Sequence, residues 1–228
     1  DLARLDRKRP KKGSNDEWYN PHDPEAKITK MKDGRTHLAY KAEHAVDLDS
    51  GLLLATTIHA GDAADGDTLQ HTLVAAQANL IQAGSAAEIR DLPADKGYHK
   101  NETLAQCAAW GVRTYIAEKQ EPHRRVWTDK PAQQRQAFHG NRRRVRGRHG
   151  RALQRRRSEF CERSFAHTCE TGAGRRSWLR GVGKVYKRYV VHGAAFNLGV
   201  LMRELFGMGK PRTLQRGLAG LGAALWAA

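Results

Sequence analysis

Two acidic residues stand in surroundings that could support chemistry. Asp95 ends a short stretch that reads as a strand and is followed at once by Lys96, Gly97, Tyr98 and His99. Glu162 lies 67 positions further on, beside Arg163 and within a helical turn of Ser158 and Glu159. Carboxylates brought together suit a hard cation such as Mg²⁺, which takes oxygen ligands and keeps several waters. A pair of such ions can activate a nucleophile and stabilise the leaving oxygen when a phosphodiester is displaced. Each residue also has an ordinary reading. An Asp at a strand end is a common turn and capping residue, and a Glu among arginines is a common helical ion-pair partner. From spacing alone both readings stand.

The elements that must position these residues are legible as periodicities. Leu38, Tyr40, Ala42, His44, Val46 and Leu48 alternate, as in a half-buried strand. Asp49-Ser50-Gly51 reads as a tight turn, and Leu52 to Ile58 as the returning strand of an antiparallel hairpin. Asp67 with Gln70 suggests a capping box for a helix carrying Leu69, Leu73, Ala76 and Leu80, stopped near Gly84. A strand from Glu88 to Ala94 then delivers Asp95 to its C-terminal end, the edge where α/β sheets bind ligands. Asn101 is placed to cap a helix ending at Gly111, and Val112 to Ala117 form another strand. This order predicts an α/β fold: a mixed sheet flanked by helices.

After a polar loop over 118–131 comes the most basic stretch of the chain. Arg142, Arg143, Arg144, Arg146, Arg148, Arg151, Arg155, Arg156 and Arg157 fall within sixteen residues, and Gly147 and Gly150 are expected to break the helix there. A helix over Phe160–Cys169 and a Gly-rich turn over Gly172–Gly183 follow. Lys184 to Phe206 reads as a long helix, apolar nearly all round, and therefore buried. Trp110, Trp127 and Trp178 read as packing residues more than base-stacking platforms, and His37, His44 and His192 as histidines with ordinary partners rather than ligands. Residues 1–35 read as a basic linker or arm, 36–206 as the domain and 207–228 as a mobile tail.

Forty Lys and Arg against 24 Asp and Glu give a formal charge of +16 in 228 residues, which favours a polyanionic partner through counterion release. Cys107, Cys161 and Cys169 form no CxxC pair and point to a reduced, intracellular protein without a structural zinc. The apolar stretch Gly217–Ala228 is too short to span a bilayer, so no membrane partner is expected. Neither a P-loop, a Rossmann glycine fingerprint nor a nucleophile elbow is present.

Four separated stretches resemble bacterial insertion-sequence transposases of the DDE class, in that family's order. They are DPEAKITKMKDGRTHLAYKAEHAVDLDSG (Asp23–Gly51), ADKGYH (Ala94–His99), ERSFAH (Glu162–His167) and HGAAFNLGVLMR (His192–Arg203). The resemblance runs from about residue 1 to residue 212 and implies a ribonuclease-H-like catalytic domain. It makes Asp95 the second and Glu162 the third catalytic, metal-binding carboxylate, with Mg²⁺ or Mn²⁺ as cofactor. It places Lys96, Tyr98 and His99 along the same edge. It sets Arg142, Arg143, Arg144, Arg146, Arg155, Arg156 and Arg163 near DNA phosphates. The implied partners are insertion-element ends and target DNA, with a homo-oligomer a further possibility, in the bacterial cytoplasm at the nucleoid. The family's first Asp belongs on a strand ahead of the hairpin, and no such strand is read here. The expectation is a C-terminal fragment that is weak or inactive alone. A catalytically dead DNA-binding remnant is the alternative, and a housekeeping nuclease on the same fold a third. The chain also departs from the family at Asp91-Leu92-Pro93, where an uninterrupted apolar strand is usual.

Overall fold

The computed structural model describes residues 18–30, 34–120 and 125–207. The order of elements is β1 (Lys27–Lys30), β2 (Thr36–Val46), β3 (Leu53–Ala60), α1 (Asp65–Gln82), β4 (Asp91–Ala94), a 3₁₀ turn (Lys96–Tyr98), α2 (Asn101–Ala109), β5 (Arg113–Ile116), α3 (Ala132–Arg146), α4 (Arg148–Phe165), a π-helical turn (Ala166–Thr171) and α5 (Val182–Phe206). The fold is α/β, as the order of elements predicts.

The expected single mixed sheet is divided in two. Strands β1, β2 and β3 form an antiparallel sheet, while β4 and β5 form a separate parallel pair. In the first sheet Lys27–Lys30 pair with Thr36–Ala39, and Tyr40–Val46 pair with Leu53–Ala60 through a bulge at Ala45/Val46. The strand β1 carries no alternation long enough to read, and its pairing with β2 is what orders it. Among the described residues no strand pairs with β4 opposite β5, or with Tyr40–Val46 opposite β3. Those two edges line one groove.

Side chains cap parts of the outer edges. Asn141 of α3 is fully buried, accepts from the Ile116 N–H at 2.9 Å and donates to the Ile116 carbonyl at 2.8 Å. Its carboxamide takes the place a neighbouring strand would have. Arg144 continues the cover, donating from Nε to the Thr114 carbonyl at 2.9 Å. Asn197 of α5 does the same for β3, bracketing the N–H and carbonyl of Leu53 at 2.8 Å each. Buried backbone groups need such partners, and open edges invite unwanted pairing.

Pro93 fits β4 for a definite reason. The Arg113 N–H donates to the Arg90 carbonyl at 2.8 Å, which sets the alternation so that Leu92 and Ala94 address β5. Asp91 and Pro93 then direct their backbone groups to the open edge, where a missing N–H breaks no bond to β5.

Several element boundaries differ from expectation. Helix α1 begins at Asp65 with Ala64 preceding it, so Asp67 lies inside the first turn, where it pairs with Lys100 instead of capping. Asn101 is likewise inside α2 and buried, accepting from Arg125 at 3.2 Å, because Lys100 holds the extended cap position. The strand before Asp95 is confined to Asp91–Ala94. Gly147 does break the arginine-rich helix, but Gly150 does not; it lies in the first turn of α4, where a Cβ would overlap the Arg144 carbonyl oxygen. The helix carrying Glu162 therefore starts at Arg148, well before Phe160.

The main core joins Leu69, Ala94, Leu104, Ile116, Ala137 and Phe138, with Trp127 packed against Phe138 at 5.0 Å between ring centroids. Trp127 is thus a packing residue. Trp178 is not: it is 78% exposed and carries the Arg188 guanidinium at 4.4 Å from its ring. The long helix α5 is also less covered than its composition suggests. It buries Val185, Tyr189, Gly193, Phe196 and Gly199, and leaves a second apolar stripe in solvent.

Candidate active site

Asp95 leaves β4 in extended conformation, and its Oδ1 accepts the Lys96 N–H at 2.8 Å. The capped turn Lys96–Tyr98 packs on the start of α1. Gly97 packs closely there: a Cβ would overlap the Asp65 carboxylate, which Lys41 holds at 2.5 Å, so a larger residue would displace that side chain. Tyr98 closes the turn. Burial raises its phenol above the usual range, and the Glu43 and Asp65 carboxylates act in the same direction.

Glu162 is exposed on α4, where Ser158 Oγ donates to Oε1 at 2.9 Å. Two anchors fix this helix. Gln154 Nε2 donates to the Ala94 carbonyl at 3.1 Å, immediately before Asp95, and also to the Tyr115 carbonyl. At the other end His44 of β2 stacks on Phe165, with centroids 3.9 Å apart and planes 7° from parallel, and its Nδ1 bonds Ser164 Oγ at 2.9 Å. Glu162 lies between these anchors, and it lines the same groove as Asp95. Neither Gln154 nor His44 is marked by spacing as a site residue.

Burial also gives His44 a pH signature. Its imidazole is pushed down to about 4 by desolvation, and among the described residues Nε2 has no hydrogen-bond partner. The unfolded chain takes up this proton near the ordinary pKa while the folded chain stays neutral. The contribution to stability is therefore complete above about pH 6.5 and is lost as pH falls towards 4, reaching about 3 kcal/mol. Urea denaturation between pH 7 and 4 checks this, with His44→Leu expected to flatten that part of the profile.

One acidic side chain at the groove escaped the sequence reading. Glu43 is 3% exposed on β2, on the strand face opposite His44. Its carboxylate accepts from the hydroxyls of Thr68 and Thr72, the latter at 2.6 Å, and pairs with Lys41 at 3.0 Å. Burial pushes its pKa up, but the two hydroxyls and the ammonium outweigh this and leave it below the ordinary value. Strand β2 is covered on both faces, by α1 and by α4, so its alternation does not mark a solvent side. The legible signal was Thr68 and Thr72, one turn apart beside Leu69 and Leu73.

The arginines divide by environment. Arg142 is held by Glu118 through two bonds of 2.6 Å, and Arg144 is committed to β5. Arg156 reaches the Leu48 carbonyl and Asp49, and Arg163 pairs with Glu159 while lying over Phe160. His99 is 6% exposed, edge-on to Phe138, so it belongs to the core side of the turn and not to its open edge. Lys96, Arg143, Arg146 and Arg155 are exposed. Among the described residues no three His, Cys, Asp or Glu side chains gather as a metal-binding group, and no helix is long and apolar enough to cross a membrane.

The model of the transposase DDE domain family matches residues 9–194, well over half of the chain. The chain belongs to that family. No curated protein and no solved structure matches it. Within the transposase DDE domain the matched span takes in Asp95, Glu162, both anchors of α4 and the Glu43 cluster. Membership implies a function in DNA transposition, with DNA as partner, and domains of this kind generally depend on divalent metal ions.

Proposed function

We propose that this chain contributes the second and third carboxylates, Asp95 and Glu162, to a centre that cuts and joins DNA at the ends of a bacterial insertion element. What supports this is that both residues line one large groove, with Gln154 tying the helix of Glu162 to the residue before Asp95. Both are hard oxygen donors with exposed side chains, which fits Mg²⁺ or Mn²⁺ completed by waters. When bound, such ions supply a Lewis acid and an activated oxygen nucleophile for in-line phosphodiester displacement. The chain's own residues do the positioning. Lys96 follows Asp95 in sequence and is exposed, free to meet a phosphate. Arg143, Arg146 and Arg155 offer exposed charge for the DNA backbone along α3 and α4.

A ribonuclease-H-like arrangement is part of this reading. A strand paired with β2 on one side and β4 on the other would join the two sheets, and the family's first carboxylate belongs on such a strand. The open edges lining the groove, and the side-chain caps on Ile116 and Leu53 at the far edges, support this.

A second reading, a DNA-binding remnant without catalysis, is favoured by one observation. Each carboxylate already has a local partner, the Lys96 N–H for Asp95 and the Ser158 hydroxyl for Glu162. A strand-transfer assay with Mn²⁺ and a terminal-repeat oligonucleotide separates the two. On the first reading, Asp95→Asn and Glu162→Gln each remove metal-dependent product by at least about a hundredfold while DNA retention is unchanged. When the parent chain gives no product, Mn²⁺ titration separates the readings: the first expects weaker Mn²⁺ binding in each variant, and the second expects parent and variants to bind Mn²⁺ alike while retaining DNA. Equal product from parent and variants rejects both carboxylate roles.

A further inference from the structure

Of the tail expected over 207–228 only Gly207 is described. The feature that the catalytic reading leaves unused lies at the other end of α5, in the turn that precedes it. Trp178 stands there, 78% exposed, with the Arg188 guanidinium 4.4 Å from the centre of its ring. A guanidinium covers one face of an indole, so the opposite face is open to solvent.

Scattered apolar side chains on a surface are ordinary, but this one is held in place. Arg188 donates to the Arg176 carbonyl at 2.7 Å and to the Ala173 carbonyl at 2.9 Å, so the guanidinium against the ring also ties the turn. Ala173 is the one described residue other than glycine in the left-handed region, with a φ of 55°. At the far end of the turn Asp23 accepts from the Gly181 N–H at 3.1 Å, and Glu25 accepts from the Val182 N–H. Backbone strain and long-range bonds thus fix a ring that lies outside the core.

The surroundings are cationic. Arg175, Arg176, Arg180, Lys184, Lys187 and Arg188 fall between Thr171 and Arg188, and no Asp or Glu does. Arg175 pairs with Glu170, whereas Arg176 and Arg180 are exposed and have no side-chain partner among the described residues. The turn lines the same large groove as Asp95 and Glu162. An open aromatic face beside unpaired cations suits a nucleobase to stack and a phosphate to pair. In a duplex both faces of a base are taken by its neighbours, so only a base outside the stack can offer one.

We propose that Trp178 is a stacking platform for an unpaired base of single-stranded DNA, with Arg176 and Arg180 meeting the adjoining phosphates. This site rests on the DNA-joining function proposed above and adds to it a preference for unpaired strands.

Binding of the full chain to fluorescein-labelled oligothymidylate and to a blunt duplex, both in EDTA so that no cleavage contributes, tests this. Trp178→Ala is expected to weaken oligothymidylate binding by about fivefold to a hundredfold, the usual range for one stacked base, and duplex binding by less than about twofold. The retained duplex binding shows that the variant is folded. Trp178→Phe keeps an aromatic face and is expected to keep most of the affinity. Equal losses on the two probes, or no loss on either, overturn the stacking role. So does quenching of tryptophan emission by oligothymidylate that is the same in the parent and in Trp178→Phe. Asp95→Asn and Glu162→Gln are expected to bind both probes as the parent does, so a failed strand-transfer assay leaves this result standing. A parent chain that binds neither probe overturns both this site and the function on which it rests.

Discussion

Replacing Glu43 by Ala is expected to lower the stability of the fold by about 3–5 kcal/mol, the usual cost of removing one partner from a buried, paired charge. The carboxylate accepts from Thr68, Thr72 and Lys41, and its loss removes a buried acceptor from each, leaving Thr68 the Asp65 carbonyl at 3.1 Å and Thr72 the Thr57 hydroxyl at 2.7 Å. Lys41 keeps Asp65 at 2.5 Å, so charge is not wholly uncompensated, and Glu43→Gln is expected to cost less than Glu43→Ala. Urea denaturation monitored by circular dichroism measures both. The pH dependence has a definite sign. The folded pKa is depressed, so the stabilisation is complete above the ordinary Glu value and is lost as pH falls through the folded one. A Glu43→Ala protein as stable as the parent would show that the cluster is solvated rather than buried. The consequence reaches Asp95, because Gly97 packs on Asp65, which the same Lys41 holds.

The second large effect is expected at Asn141. Leucine there preserves bulk but removes both hydrogen bonds to Ile116, leaving a buried N–H and a buried carbonyl unsatisfied. At about 1–3 kcal/mol for each orphaned group, the loss is roughly 2–6 kcal/mol. Exchange of the Ile116 amide gives a local readout. It should rise sharply in Asn141→Leu, while amides of β2 and β3 follow only the global change. Unchanged protection at Ile116 would mean that the carboxamide does not stand in for a strand. Asn197 offers a comparison on the other sheet, where the same device bonds Leu53.

The sequence by itself determined what depends on local pattern. The hairpin of β2 and β3 was legible because alternation and the Asp49-Ser50-Gly51 turn agree. The short strand before Asp95 was legible in place, though read from Glu88 and observed only from Asp91, and α2 was legible from the break at Gly111. Asp95 and Glu162 were singled out by resemblance, since an Asp at a strand end and a Glu among arginines have common structural uses. The charge pattern pointed to DNA but could not sort the arginines. Arg142, Arg144 and Arg163 carry the same side chain as Arg143, and only the neighbours Glu118, Thr114 and Glu159 distinguish them.

What tertiary structure alone decided concerns contacts between residues distant in sequence. Glu43 looked solvated because alternation reports one covered face, whereas β2 is covered on both. The separation into two sheets is likewise invisible to periodicity, because pairing is a property of edges and not of residues. The two Asn caps cannot be read either, for a buried carboxamide and a surface one have the same sequence. Asp95 and Glu162 come to one groove because Gln154 and His44 hold α4 against β4 and β2, and these are long-range bonds that no local pattern encodes.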